Sequence, residues 1–184
     1  MHTMTEAYDA TADAIDVDDL VAADAGPSVP ELDPEAALLC ALLHTTDLDA
    51  VRRVTAHLEP GDFLGPRYAE LFEVIAELVQ NGEPHHAPRV LASVRAAGRL
   101  GGHHGKLLAE ALQTVALLGT PAVALAALAG DVLDSAFRRR FSAATHALAR
   151  AAAEAPTEAL MELMVEQGRI VRTQDRRRTA LTGE

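Results

Sequence analysis

Tryptophan is absent from this 184-residue chain, tyrosine occurs twice, phenylalanine four times and cysteine once. A single cysteine excludes an intrachain disulfide framework, and the paired-cysteine patterns of zinc modules are missing. Cys40, between Leu39 and Ala41, reads as a buried small hydrophobe in a reducing compartment. Runs of Val, Ile, Thr and aromatics with period two are also lacking, which argues against a sheet. No segment joins a basic start to an apolar run of signal-peptide length, and no stretch approaches eighteen uninterrupted apolar residues. The expectation is a cytoplasmic protein with no membrane partner.

The catalytic signatures are missing as well. There is no GxxxxGK[ST] phosphate loop and no GxSxG elbow, and the acids lie scattered on solvated faces without a paired arrangement. The expectation is a protein that is not an enzyme, with no catalytic, cofactor-binding or metal-ligating residues and no cofactor.

Positive charge is missing from one end. Residues 1 to 33 hold nine acids (Glu6, Asp9, Asp13, Asp16, Asp18, Asp19, Asp24, Glu31 and Asp33) and no Lys or Arg, whereas eighteen acids face sixteen bases in the remainder. The formal charge of -11 therefore belongs mostly to the tail. Residues 1–32 also carry Gly26, Pro27 and Pro30 and no sustained helical stripe, so they are expected to be a disordered acidic tail able to meet a basic partner.

What is present is alanine and leucine in helical register. Asp33 and Pro34 form an N-cap and first-turn pair, and Leu38, Leu39, Leu42 and Leu43 give the first helix its buried face. Thr46 is expected to cap a second helix through Leu48, Val51 and Val54. A turn from Leu58 to Phe63 follows, and Gly65-Pro66 opens a third helix whose stripe is Tyr68, Leu71, Phe72, Ile75, Leu78 and Val79, ended by Asn81-Gly82. A fourth helix follows Pro88 and stops at Gly98. Leu100 to Gly105 reads as a glycine-rich turn, and Leu107, Leu108, Ala111, Leu112 and Val115 continue as a fifth helix.

The longest pattern comes last. Thr120-Pro121 reads as the start of a helix that runs without a breaker to Ala155, with Leu133, Phe137, Phe141, Ala144, Leu148 and Ala151 at spacings of three and four. At 1.5 Å per residue it would span about 50 Å. Ala155-Pro156 breaks it, and Thr157 starts a second helix toward Arg178. The fold class expected is all-α: a compact bundle of short helices over residues 33–119, then a long antiparallel helical hairpin over 120–178, then a flexible C-terminus over 179–184.

Two constellations are weighed against plainer identities. His85-His86 and His103-His104 flank one helix, but adjacent residues on a turn diverge and no thiolate joins them, so they read as surface-loop histidines rather than zinc ligands. Gly98, Gly101, Gly102 and Gly105 precede a helix, as in anion cradles, yet Lys106 is followed by Leu107 and no strand leads in; they read as a helix-helix turn. The runs Arg138-Arg139-Arg140 and Arg176-Arg177-Arg178 fan around their helices, reading first as solvated faces and alternatively as contacts to nucleic-acid phosphates or an acidic partner.

The order of these features resembles the N-terminal domain of bacterial replicative DNA helicases of the DnaB type. Pro34 to Leu43 is similar to that family's opening leucine-rich helix, and Asp62-Phe63 followed by Tyr68 to Ile75 to its Asp-Phe segment and following helix. Asn81-Gly82-Glu83-Pro84 is similar to its Gly-x-Pro turn, and Ala97 to Gly102 with Leu107 to Leu112 to its Gly-x-Leu and Gly-Gly segment. His85-His86 stands where the family usually has Ile-Asp, and the spacing from Gly-Gly to the leucines is altered.

The resemblance covers about residues 33–178 and implies a scaffold. The domain would be a helical head whose hairpin pairs with a neighbour's, offering a surface to a primase or loader, with ATPase chemistry in another domain. The chain would then self-associate, as a dimer or higher, and act as an adaptor or regulator of a replicative helicase or primase, unable to unwind DNA alone. Leu133, Phe137, Phe141, Leu148, Leu160, Met164 and Val171 are the expected interface or hairpin seam, because a partner helix from Leu160 to Val171 is too short to cover the stripe. The alternative is a small DNA-binding regulator that uses the arginine runs; nucleic acid is not the favoured partner.

Overall fold

Asp33 begins the described part of the chain, and it does so as a cap: its carboxylate accepts from the Glu35 backbone N–H at 2.9 Å, with Pro34 next in the first turn. The computed structural model describes residues 33–182. The expected acidic tail over 1–32 and the last residues, 183 and 184, lie outside the described residues.

Seven α-helices follow in order: α1 (Pro34–His44), α2 (Leu48–His57), α3 (Pro66–Gln80), α4 (Ala87–Ala96), α5 (Gly102–Leu117), α6 (Leu125–Glu154) and α7 (Thr157–Thr182). Short 3-10 turns occupy Pro60–Asp62 and Ala122–Ala124, and no strand occurs among the described residues. The protein is all-α.

The caps explain most boundaries. Asp47 rather than Thr46 caps α2, accepting from the N–H groups of Asp49 at 3.1 Å and Ala50 at 3.0 Å, because its carboxylate reaches two orphan donors. Helices α3 and α4 end in one closing pattern. Gly82 and Gly98 take positive φ, while Glu83 N–H reaches the Leu78 carbonyl at 2.8 Å and Arg99 N–H the Val94 carbonyl at 3.1 Å. The expected glycine turn is shorter than its sequence suggests. Helix α5 starts at Gly102, so His103, His104 and Gly105 form its first turn instead of a loop.

Thr120-Pro121 does not open the long helix directly. Pro121 precedes the Ala122–Ala124 turn, and α6 begins at Leu125; between α5 and the chain from Ala122 onward the direction changes by 104°. Helix α6 has 30 residues, about 45 Å of length.

The core is continuous from head to hairpin. Leu38, Leu39, Leu42, Val51, Phe72, Ile75, Val90, Leu108 and Val115 share one buried cluster with Leu125, Ala129, Val132 and Leu133 of α6. Phe63 stacks on Phe72 with ring centroids 4.9 Å apart. Helix α7 returns antiparallel along α6 and reaches back to α2. Its 26 residues exceed the expected Leu160–Val171 cover, and residues 179–182, expected to be flexible, continue the helix with Leu181 packed against the core. Among the described residues no single helix is long and apolar enough to cross a membrane.

Candidate assembly site

Two features set the hairpin's character: a polar clasp at its base and an apolar face beyond it. The clasp is built on Asp62, the last residue of the Pro60–Asp62 turn, which has no solvent exposure. A carboxylate taken out of water needs compensating partners. Asp62 has them from four directions. Arg177 of α7 binds it in fork fashion, Nη1 to Oδ2 at 2.8 Å and Nη2 to Oδ1 at 2.9 Å. Arg140 of α6 lies 3.2 Å away, the buried Gln174 donates to Oδ1 at 3.1 Å, and the Glu59 backbone N–H donates to Oδ2 at 2.8 Å.

The neighbouring charges follow the same logic. Arg139 donates to the Asp62 carbonyl and lies 3.9 Å from Glu35. Glu35 itself accepts from the backbone N–H groups of Leu64 at 2.7 Å and Gly65 at 3.1 Å. Burial pushes its carboxyl above the usual carboxylate range, opposed by those two backbone donors. Arg177 also reaches the His57 carbonyl at 3.3 Å and Glu59 at 3.4 Å. Arg178 sits 5.8 Å over the Phe137 ring and 3.4 Å from Asp134.

The arginine runs therefore divide instead of forming wholly solvated faces. Arg138 and Arg176 are exposed; Arg139, Arg140, Arg177 and Arg178 turn toward carboxylates and carbonyls of the head and the hairpin. The reason lies in Asp62 and Glu35, which would otherwise be buried charges without partners. Sequence reading missed this clasp because its members lie far apart in the chain, Asp62 and Arg177 by 115 positions. The one local signal was the Asp-Phe pair after a Pro-Gly turn.

The residues expected at an interface or seam are spread over three environments. Leu133 is fully buried in the chain's own core, which removes it from any surface. Phe137, Leu148, Leu160 and Val171 are half-buried along the hairpin, whereas Phe141 and Met164 are 54% and 50% exposed. Met161 and Val165, not singled out from sequence, are 64% and 53% exposed. With Met164 and Gly168 they fall at spacings of three and four on one face of α7. That face carries large apolar side chains toward solvent beyond the clasp.

The histidine pairs separate. His85 is buried, not a surface-loop residue, and burial lowers its pKa from the ordinary value. His104 Nε2 lies 2.8 Å from Glu70 across the α3–α5 contact.

A family model described as DnaB-like helicase N terminal domain matches residues 29–121. The chain belongs to that family. The match spans helices α1 to α5, the clasp residues Glu35, Glu59 and Asp62, and the elbow that leads into α6. No curated protein matches the chain. Membership makes this a replication-related helicase domain. Within the family match, the Asp-Phe pair acquires two physical roles: Phe63 fills the head core against Phe72, and Asp62 anchors the hairpin that follows.

Proposed function

We propose that this protein is a non-catalytic, cytoplasmic DNA-replication protein that self-associates through its hairpin and serves as an adaptor or regulator of a replicative helicase or primase. The observation that carries this reading is the exposed apolar face of α7, Met161, Met164 and Val165, on a chain of the DnaB-like N-terminal family. Side chains of this size so exposed in one neighbourhood mark an interaction surface more often than a solvated one. Burying apolar area contributes roughly 25 cal/mol per Å² before association costs.

The clasp supports the same reading by fixing the hairpin base to the head, so that the distal half projects as a stiff arm. Self-association then sets how many heads stand side by side, and the heads supply the surface that a helicase, primase or loader meets. Direct DNA binding gains little support, since four of the six arginines proposed for it are already engaged within the chain.

Light scattering at about 50 µM tests the assembly step, at a concentration well above the micromolar range of modest interfaces. The expected result is a dimer or larger particle for the full chain and a smaller one for Met164→Asp with unchanged helicity. A monomer for the unaltered chain would sink self-association.

A further inference from the structure

Beside the clasp, where the hairpin passes the corner at Glu59, α6 and α7 border an open recess of about 240 Å³. That is smaller than the roughly 300 to 1,000 Å³ of sites for cofactors and drug-sized ligands, and it is the scale of one side chain. Three arginines line it, Arg140 of α6 and Arg169 and Arg177 of α7, against one carboxylate, that of Glu59. Positive charge stays in excess even when the buried Asp62 behind Arg140 and Arg177 is counted.

The three arginines are not equally spent. Both Nη atoms of Arg177 are engaged, by Asp62, the His57 carbonyl and Gln174. Arg140 meets Asp62 through Nη2, at 3.2 Å, and a guanidinium carries more N–H donors than one ion pair occupies. Arg169 is 69% exposed, and its partner Glu166 sits one turn back on the same helix at 2.7 Å. An exposed pair of that kind is worth little, so an incoming anion takes Arg169 at small cost. The neutral groups are already committed: Thr173 donates its hydroxyl to the Arg169 carbonyl at 2.9 Å, and Gln174 is shared between Asp62 and Arg177.

The surroundings select the anion. Glu59 and Glu166 are both exposed, so a run of phosphates or of acids brings repulsion with it. A lone carboxylate does not. Ile170, 43% exposed, adds an apolar wall on which the methylenes of an aliphatic stem pack. We propose that the recess bordered by Glu59, Arg140 and Arg169 receives a single glutamate side chain of a partner protein, its carboxylate held by Arg140 and Arg169 and its stem lying on Ile170. Because Arg140 also holds Asp62, the seated glutamate joins the partner to the point where hairpin meets head. The source of that side chain rests on the adaptor reading; the site itself does not.

Nuclear magnetic resonance on the full chain, labelled with nitrogen-15, tests the site with acetyl-Ala-Glu-Ala-amide as the probe. The peptide should shift the amides of residues 59, 140, 169, 170 and 173 in a saturable way and leave the 82–86 turn unmoved. Its Gln counterpart should bind about tenfold more weakly, the worth of charge on a hydrogen-bond acceptor. Arg169→Gln, a change at an exposed position, should weaken the Glu peptide by about the same factor with helicity unchanged. Arg150→Gln, outside the recess, should leave its binding unaltered.

A peptide that shifts nothing, a Gln peptide that binds equally, or a response that ignores Arg169→Gln overturns the proposal. So does tighter binding at the same residues by inorganic phosphate or by single-stranded DNA of about 15 nucleotides, which would make the recess a phosphate site. Shifts of these amides in the free chain that grow with its concentration would place a second copy's side chain there and overturn it as well. Particle size decides the self-association reading separately, so either can fail without the other.

Discussion

Asp62 joins the two halves of this protein through one carboxylate. It lies at the end of a three-residue turn, yet its partners come from α6 and α7 as well as from Glu59 beside it. Replacing it with Ala removes the buried carboxylate shared by Arg177 and Arg140 and leaves the more exposed Glu59, 3.4 Å from Arg177, as the nearby anion. Removing one member of a buried ion pair costs about 3 to 5 kcal/mol, and urea unfolding should show a loss in that range. A loss under about 1 kcal/mol would mean that water already screens the clasp.

His85 supplies a second residue-level test, through pH. Its folded-state pKa is depressed by burial below the ordinary 6.5, so the unfolded chain takes up the proton first. Stability from this residue is complete above 6.5 and falls as pH drops through the folded value. Glu35 acts in the opposite sense: its raised pKa gives a contribution that is full below 4.5 and is lost as pH rises. Comparing urea midpoints at about pH 7.5 and about pH 5.5 for the unaltered chain and His85→Leu isolates the histidine. The unaltered chain should lose more stability on acidification than the variant.

At the scale of elements, the glycines near α5 do different work although the sequence presents them as one loop. Gly98 and Gly102 hold positive φ with open space where a side chain would stand. Gly105 has an ordinary backbone, but a Cβ there would fall directly on the Leu100 backbone. Gly105→Ala should therefore cost about 1 to 3 kcal/mol through overpacking. Gly98→Ala should cost about 1 kcal/mol through strain alone. Thermal unfolding of the two variants checks the order, and a larger loss at Gly98 would contradict it. Helix identities were legible because stripes such as Leu71, Phe72, Ile75, Leu78 and Val79 repeat with helical period. The starts of α2, α5 and α6 were less so, because Asp47, Gly102 and Leu125 owe their roles to hydrogen bonds and turns that neighbouring residues could equally have made.

At the scale of the whole molecule, charge separates the two functional readings. Each chain carries a formal -11, so two copies repel over several ångströms until salt screens them. Apolar pairing of hairpins should hold or tighten between about 50 and about 200 mM salt. A contact made by arginines on phosphates would weaken by orders of magnitude over the same range. Sedimentation for the first and fluorescence anisotropy with labelled DNA for the second give a direct comparison. Binding of DNA that survives Arg138→Glu with Arg176→Glu would move the contact away from the two exposed arginines.

The amino-acid sequence by itself determined the fold class and the order of helices, and it carried enough of the Asp-Phe, Gly-x-Pro and Gly-Gly pattern to indicate the family. It did so because helical period, caps and turn residues are local properties. Which side of each helix is spent inside the chain was decided only by tertiary structure. Leu133 vanished into the head core, residues 179–182 became ordered helix, and Arg139, Arg140, Arg177 and Arg178 turned inward. A side chain's fate depends on what lies across from it. Asp62 stands opposite Arg177 through the return of α7 along α6, a distance in sequence that no local pattern encodes.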